Sequence, residues 1–133
     1  MCIFCKIIQG EIPAYKIYED EKNIAFLDIF PRAKGHTLVV PKKHFETFDT
    51  MPQEDSIALS QALSKVASQL KSKLHNDGYN IFSNNGAIAG QEVPHVHFHI
   101  LPRFADRKSK MSMPPVLEDI KAALPTIHKE ITS

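Results

Sequence analysis

The most restrictive stretch of the chain is His95-Val96-His97-Phe98-His99-Ile100, in which histidine alternates with apolar residues. Alternate side chains of a strand share a face. The spacing therefore predicts a strand that presents His95, His97 and His99 together and buries Val96, Phe98 and Ile100. Successive imidazoles along such a row stand roughly 6.6 Å apart. Imidazole titrates near pH 6.5, so it can act as ligand, base or nucleophile around neutrality. One metal ion held by all three is disfavoured, because the outer two of a flat row are too far apart. The preceding loop, Asn84 to Gln91, contains Gly86 and Gly90, which let main-chain amides close around an anion. A histidine row beside a glycine-rich loop points to a phosphate site.

The rest of the chain supplies a frame for that row. Ile24–Phe30 and His36–Val40 are strand-like, are stopped by Pro31 and Pro41, and are joined through Arg32-Ala33-Lys34-Gly35, a hairpin pattern. Between Glu54 and His75 the period changes: Leu59, Leu63, Val66, Leu70 and Leu74 recur at steps of three and four, the pattern of an amphipathic helix. Pro52 suits its first turn and Asn76-Asp77-Gly78 its end. Strand character returns at Tyr79–Ser83 and Val93–Pro102, and a short helix is expected over Val116–Leu124. The predicted fold is α+β, an antiparallel sheet covered on one face by one long helix. At 133 residues the chain is expected to form one domain over 1–133.

Charge is nearly balanced, 16 basic against 15 acidic side chains, which gives no basic face for nucleic acid. No apolar run reaches the length of a membrane span. The opening Met1–Glu11 turns polar too early for a secretory leader, so a cytoplasmic protein is expected. His75 and His128 read as surface residues, and Lys42-Lys43 and Arg107-Lys108 as solvated basic pairs.

His95-Val96-His97-Phe98-His99-Ile100-Leu101 resembles the His-φ-His-φ-His-φ-φ signature of the histidine triad (HIT) superfamily. Phe26-Leu27-Asp28-Ile29, Gly35 through His44, and Gly90-Gln91 are similar to that family's other blocks, in the same order, so the likeness runs from about Cys2 to Arg103. The resemblance implies the HIT-like antiparallel sheet of about five strands with one long helix and short N- and C-terminal helices, and a homodimer whose sheets join. It also implies hydrolysis or transfer at the α-phosphate of a purine nucleotide through a nucleotidyl-histidine, without an organic cofactor. By position His97 would be the nucleophile, His99 would bond the phosphate and carry charge when protonated, and His36 would support the row. Asp28 would bind ribose, and Phe4, Ile7, Ile12, Phe26 and Ile29 would wall the base. Asn84 would lie near the scissile phosphate, and the backbone of Gly90, Gln91, Glu92 and Val93 would cradle it.

Asn84 inclines the chain toward the Hint-like, phosphoramidase branch, since the dinucleoside polyphosphate hydrolases typically carry Gln there. That hydrolase activity is the alternative, with a non-catalytic nucleotide-binding or scaffold module as the other class. Glu92 departs from the serine of animal Hint proteins, and a carboxylate facing phosphate would repel it, so it is expected to point away. Cys2-x-x-Cys5 has metal-ligand spacing and needs two further donors for a tetrahedral site. His44 and His95 are the candidates, and bacterial-type HIT proteins with this cysteine pair resemble zinc binders of that kind. In that case zinc is structural, with His97 and His99 left for chemistry.

Overall fold

The structure, a computed structural model, describes residues 1–106 and 115–133. The Arg107-Lys108 pair lies outside them. A short helix α1 (Ile3–Ile8) leads into β1 (Lys16–Glu19), β2 (Asn23–Leu27) and β3 (Thr37–Pro41). The long helix α2 (Gln53–Leu74) follows, then β4 (Gly78–Phe82), β5 (Phe98–Arg103), α3 (Glu118–Ala122) and α4 (Leu124–Thr132). All strands pair antiparallel in the order β1-β2-β3-β5-β4.

The sheet has two covered faces. On one, Ala25, Leu27, Val39, Val96 and Ile100 meet the α2 stripe of Leu59, Ala62, Val66, Leu70 and Leu74. Ile120, Leu124, Ile127 and Ile131 of α3 and α4 close this layer. Each buried Leu, Ile or Val among them contributes about 1.5–3 kcal/mol. On the other face Ile24, Phe26, Leu38 and Val40 pack under Phe4 of α1. With both faces covered, every residue of β2 and β3 is buried.

α2 begins at Gln53 and ends at Leu74, one residue before the predicted limit at each end, with Pro52 at its N-cap and His75 turning left-handed (φ 56°) after it. Other elements differ more. β5 starts only at Phe98, so His95 and His97 stand on its extended approach instead of inside the ladder. Pro94 has no amide, the His95 N–H bonds the Val93 carbonyl at 2.8 Å, and the Val96 N–H bonds the Phe45 carbonyl at 2.7 Å, away from the sheet. The C-terminal helix expected over Val116–Leu124 is two helices, α3 and α4, with Pro125 in the first turn of the second.

The two sheet edges are unlike. On β1 the Ile17 carbonyl accepts from Gln69 Nε2 at 3.0 Å and the Lys16 carbonyl from His128 Nε2 at 2.7 Å. His128, expected at the surface, is thus half-buried against Tyr15. Glu19 of this strand is bracketed by Lys16 at 2.6 Å and Lys42 at 2.7 Å. On β4 the outer side chains Tyr79 and Ile81 are 45% and 43% exposed.

Candidate active site and metal site

A cleft of about 870 Å³ opens on the α1 side of the sheet. Phe4 meets Phe26 edge-on at 5.6 Å and the ring of His97 at 5.0 Å. Phe4, Ile7, Ile12, Phe26 and Ile29 form its apolar wall, while Asp28, Asn84, Gly90, Glu92, Val93, His97 and His99 line the remainder with the buried His36.

Hydrogen bonds fix the imidazole tautomers. The Arg32 amide donates to His36 Nδ1 at 3.1 Å, so the proton of that neutral ring sits on Nε2 and is donated to His99 Nδ1 at 2.9 Å. His99 therefore carries its own proton on Nε2. Burial, then the neighbouring charges of His99 and Arg32, pushes His36 down to about 3. Burial, then His97 and Arg32, pushes His99 down to about 4. Both rings are neutral at pH 7, so in the cleft as it stands His99 offers a donor and not a charge. His99 also stacks on Phe82 at 4.4 Å, with the rings 6° from parallel. His97 Nδ1 lies 2.8 Å from the His95 carbonyl, which can only accept. The remaining nitrogen of His97, Nε2, is left with a free lone pair.

Asp28 accepts from the Phe30 amide at 2.8 Å and lies 3.6 Å from His36 Nε2. Burial raises its pKa, opposed by the Phe30 bond, Arg32 and His97, with Glu92 adding to the rise. Glu92 is exposed at the mouth of the cleft, where its charge is felt at Asp28.

The glycine-rich loop also differs in detail. Gln91 is absent from the cleft lining, because its Oε1 accepts the Gly86 amide at 2.7 Å while its Nε2 donates to the Glu46 carbonyl at 2.7 Å and the Val93 carbonyl at 3.1 Å. The Gly90 and Gln91 amides bond Ala87 and Gly86 within the loop. Among the described residues, that leaves the Glu92 and Val93 amides of this segment unpaired and able to meet an anion. Sequence reasoning missed Arg32, Asn80, Phe82 and Arg103, all of which line the cleft. Arg103 was findable, since the period of two that links the histidines continues through Leu101 to it.

Cys2, Cys5, His44 and His95 come from α1, the segment after β3 and the approach to β5. Their two sulfurs and two Nδ1 atoms are separated by 3.1 to 3.6 Å across all six pairs. A regular tetrahedron with such edges has its centre about 2.1 Å from each corner, within the range of zinc–nitrogen bonds and slightly short for zinc–sulfur. His95 Nε2–H donates to the Pro41 carbonyl at 2.8 Å, turning the lone pair on Nδ1 toward the sulfurs, the second contact expected of a ligating histidine. These residues fit a tetrahedral ion. Asp28, His36 and His99 also cluster, but the Nε2 of His36 that faces the group is protonated and offers no lone pair.

The HIT domain profile matches residues 9–106. An uncharacterised HIT-like protein of Methanocaldococcus jannaschii is 64% identical over 104 residues, 78% of this chain and 80% of its own length. The adenosine 5′-monophosphoramidase of Saccharomyces cerevisiae is 42% identical over 130 residues, 98% of this chain and 80% of its own. Among solved structures, a HIT-like protein of Bartonella henselae superposes with a TM-score of 0.83 at 36% identity, over 98% of this chain and 94% of its own. A zinc-bound histidine triad protein of Mycobacterium smegmatis superposes with a TM-score of 0.78 at 36% identity, over the same shares of the two chains. No helix among the described residues is long and apolar enough to cross a membrane.

Proposed function

Since the chain belongs to the HIT family, we propose that it hydrolyses nucleotides at the α-phosphate, acting on nucleoside phosphoramidates through a nucleotidyl-His97 intermediate. The observation that carries this reading is the tautomer of His97: Nδ1–H is held by the His95 carbonyl, so in the neutral ring the lone pair is on Nε2, and the His99 ring stands 5.2 Å away between centroids. The phosphoramidase activity of the yeast relative supports the substrate class.

In this reading the purine lies against Phe4, Ile7, Ile12, Phe26 and Ile29, and Asp28 accepts from the ribose hydroxyls. The α-phosphate meets the Glu92 and Val93 amides and His99 Nε2–H, donors set where charge grows in the displacement. His97 Nε2 attacks phosphorus. The phosphorus–nitrogen bond breaks, its electron pair leaves with the amine nitrogen, and that nitrogen takes a proton from solvent. Water then attacks phosphorus, the bond to Nε2 breaks with its pair returning to the ring, and the attacking water gives up a proton to solvent. Nucleoside monophosphate and free amine result, two easier displacements replacing one hard one. His36 acts through His99 by fixing its tautomer.

Cys2, Cys5, His44 and His95 would hold zinc as a structural ion that ties α1, and with it Phe4, to the approach to β5. The zinc-bound mycobacterial neighbour supports that identity. The same reading takes residues 1–133 as one domain, a cytoplasmic homodimer whose two sheets join along the exposed β4 edge.

The test follows AMP release from adenosine 5′-phosphoramidate by the wild type and by His97→Ala, with diadenosine polyphosphate in parallel. The variant is expected to lose at least about 10³-fold in kcat. Preferential cleavage of the dinucleotide would move the protein to the other hydrolase branch. Nucleotide binding without turnover of either substrate would leave a binding module.

A further inference from the structure

The cleft continues beyond the histidines. Crossing the sheet from the nucleoside wall on β2, its floor passes His36 and His99 and ends at Arg103 of β5 and Asn80 and Phe82 of β4. Arg103 stands four residues past His99 on the same face of β5, about 13 Å along the strand. Its Cα partner on β4 is Gly78, so no side chain faces it across the ladder. Asn80 pairs with Leu101 and rises on this face too. The Arg103 Nε–H donates to Asn80 Oδ1 at 2.9 Å, and among the described residues neither Nη atom has a partner. A guanidinium tethered at Nε keeps its plane fixed and its Nη groups available, the geometry in which arginine grips an oxyanion through paired hydrogen bonds.

Arg32 lines the same cleft, and its charge reaches His36, His99 and Asp28. The apolar wall that suits a base lies on the opposite side of the histidines, and in an in-line displacement the departing group leaves opposite the nucleophile.

Resting on the phosphoramidase reading above, we infer that Arg103, oriented by Asn80, forms a leaving-group subsite that accepts an anionic group, carboxylate or phosphate, carried beyond the bond that His97 attacks. The subsite selects among substrates of one reaction, favouring an amine or phosphate that bears a negative charge over a neutral one. A purely structural Arg103, tying β5 to β4, would lower stability and treat all leaving groups alike.

The experiment compares wild type, Arg103→Met and Arg103→Lys on two adenosine 5′-phosphoramidates, one of alanine joined through its nitrogen and one of alaninamide. The ratio of their kcat/KM values is expected to favour the carboxylate in wild type, to fall about ten- to hundredfold in Arg103→Met, and to recover in part in Arg103→Lys. Calorimetric affinities supply a second reading that needs no turnover: adenosine 5′-sulfamates with a carboxylate or an amide tail, and ADP against AMP. Loss of the preference confined to the carboxylate pair assigns a carboxylate leaving group, and loss of the advantage of ADP over AMP assigns a phosphate. Ratios unchanged by Arg103→Met in every pair overturn the subsite even where the thermal midpoint drops. Failure of wild type to hydrolyse either phosphoramidate overturns the functional reading instead, and the binding ratios still decide the subsite.

Discussion

Gly35 sits where the loop from β2 enters β3, one residue before His36, with φ at +83°. A Cβ there would lie 2.4 Å from Leu74 Cδ1, 3.3 Å from Pro102 Cγ and 3.7 Å from Leu70 Cδ2. Gly35→Ala therefore carries two costs. Holding alanine in the left-handed region costs about 1–2 kcal/mol, and forcing a methyl into packed side chains about 1–3 kcal/mol more. Gly10 provides the control, since its φ is +80° but its Cβ would meet nothing within 4 Å; Gly10→Ala should show only the backbone cost. Urea denaturation with a shared m-value should place Gly35→Ala about 2–5 kcal/mol below wild type and clearly below Gly10→Ala. Trimming the obstructing methyl should show coupling: Gly35→Ala with Leu74→Ala should be destabilised by less than the sum of the single changes. Equal losses for Gly35→Ala and Gly10→Ala, together with additivity in that cycle, would refute the packing argument.

Stability should also respond to acid. His36 titrates at about 3 and His99 at about 4 in the fold, against about 6.5 unfolded. Below pH 6.5 the unfolded chain binds these protons first, so stability is complete above about pH 7 and falls from there, to about pH 4 for His99 and about pH 3 for His36. The slope is at most about 1.4 kcal/mol per unit for each ring. Urea midpoints measured across pH should show this decline, shallower in His36→Asn; identical slopes would count against it. Chelation should lower the thermal midpoint of wild type and leave Cys5→Ser unmoved, with metal analysis finding zinc only in the former; a metal-free, chelator-insensitive wild type would contradict the site. Gln91→Ala should release the Gly86 amide and the Glu46 and Val93 carbonyls, costing about 1–3 kcal/mol and lowering kcat through the displaced amides; an unchanged kcat would show that the brace does not position them.

What was legible in the sequence was what is local. The α2 stripe is a pattern within one segment and forms the helix it predicts, whereas of the histidine row, expected within one strand, only His99 lies inside β5. β1 left no such signal: it has four residues, only Ile17 is buried, and a register shift between Lys16 and Tyr18 breaks the alternation against β2. α4 does carry Leu124, Ile127 and Ile131 at helical spacing, and Pro125 suits its opening turn, beyond the helix that the sequence predicts over Val116–Leu124. The four metal-ligand candidates come from three distant segments, which only the family resemblance could draw together. The directions of Gln91 and Glu92 were beyond sequence altogether. Both belong to one loop with the same backbone role, and it is the carbonyls of Glu46 and Val93 that turn one inward while the other stays at the mouth.

The unlike edges of the sheet set a limit on assembly. With its outer carbonyls taken by Gln69 and His128, β1 has little left to offer an approaching strand, whereas among the described residues no helix side chain bonds the β4 backbone. A sheet that can be extended from one side only is extended once: when two copies meet β4 to β4, each uses up the other's free edge. Stacking that could run on into a fibre needs two sticky sides, and here one of them is closed by side chains of the chain's own helices. Loss of His128 and Gln69 together would thus change not the first pairing but whether there can be a second.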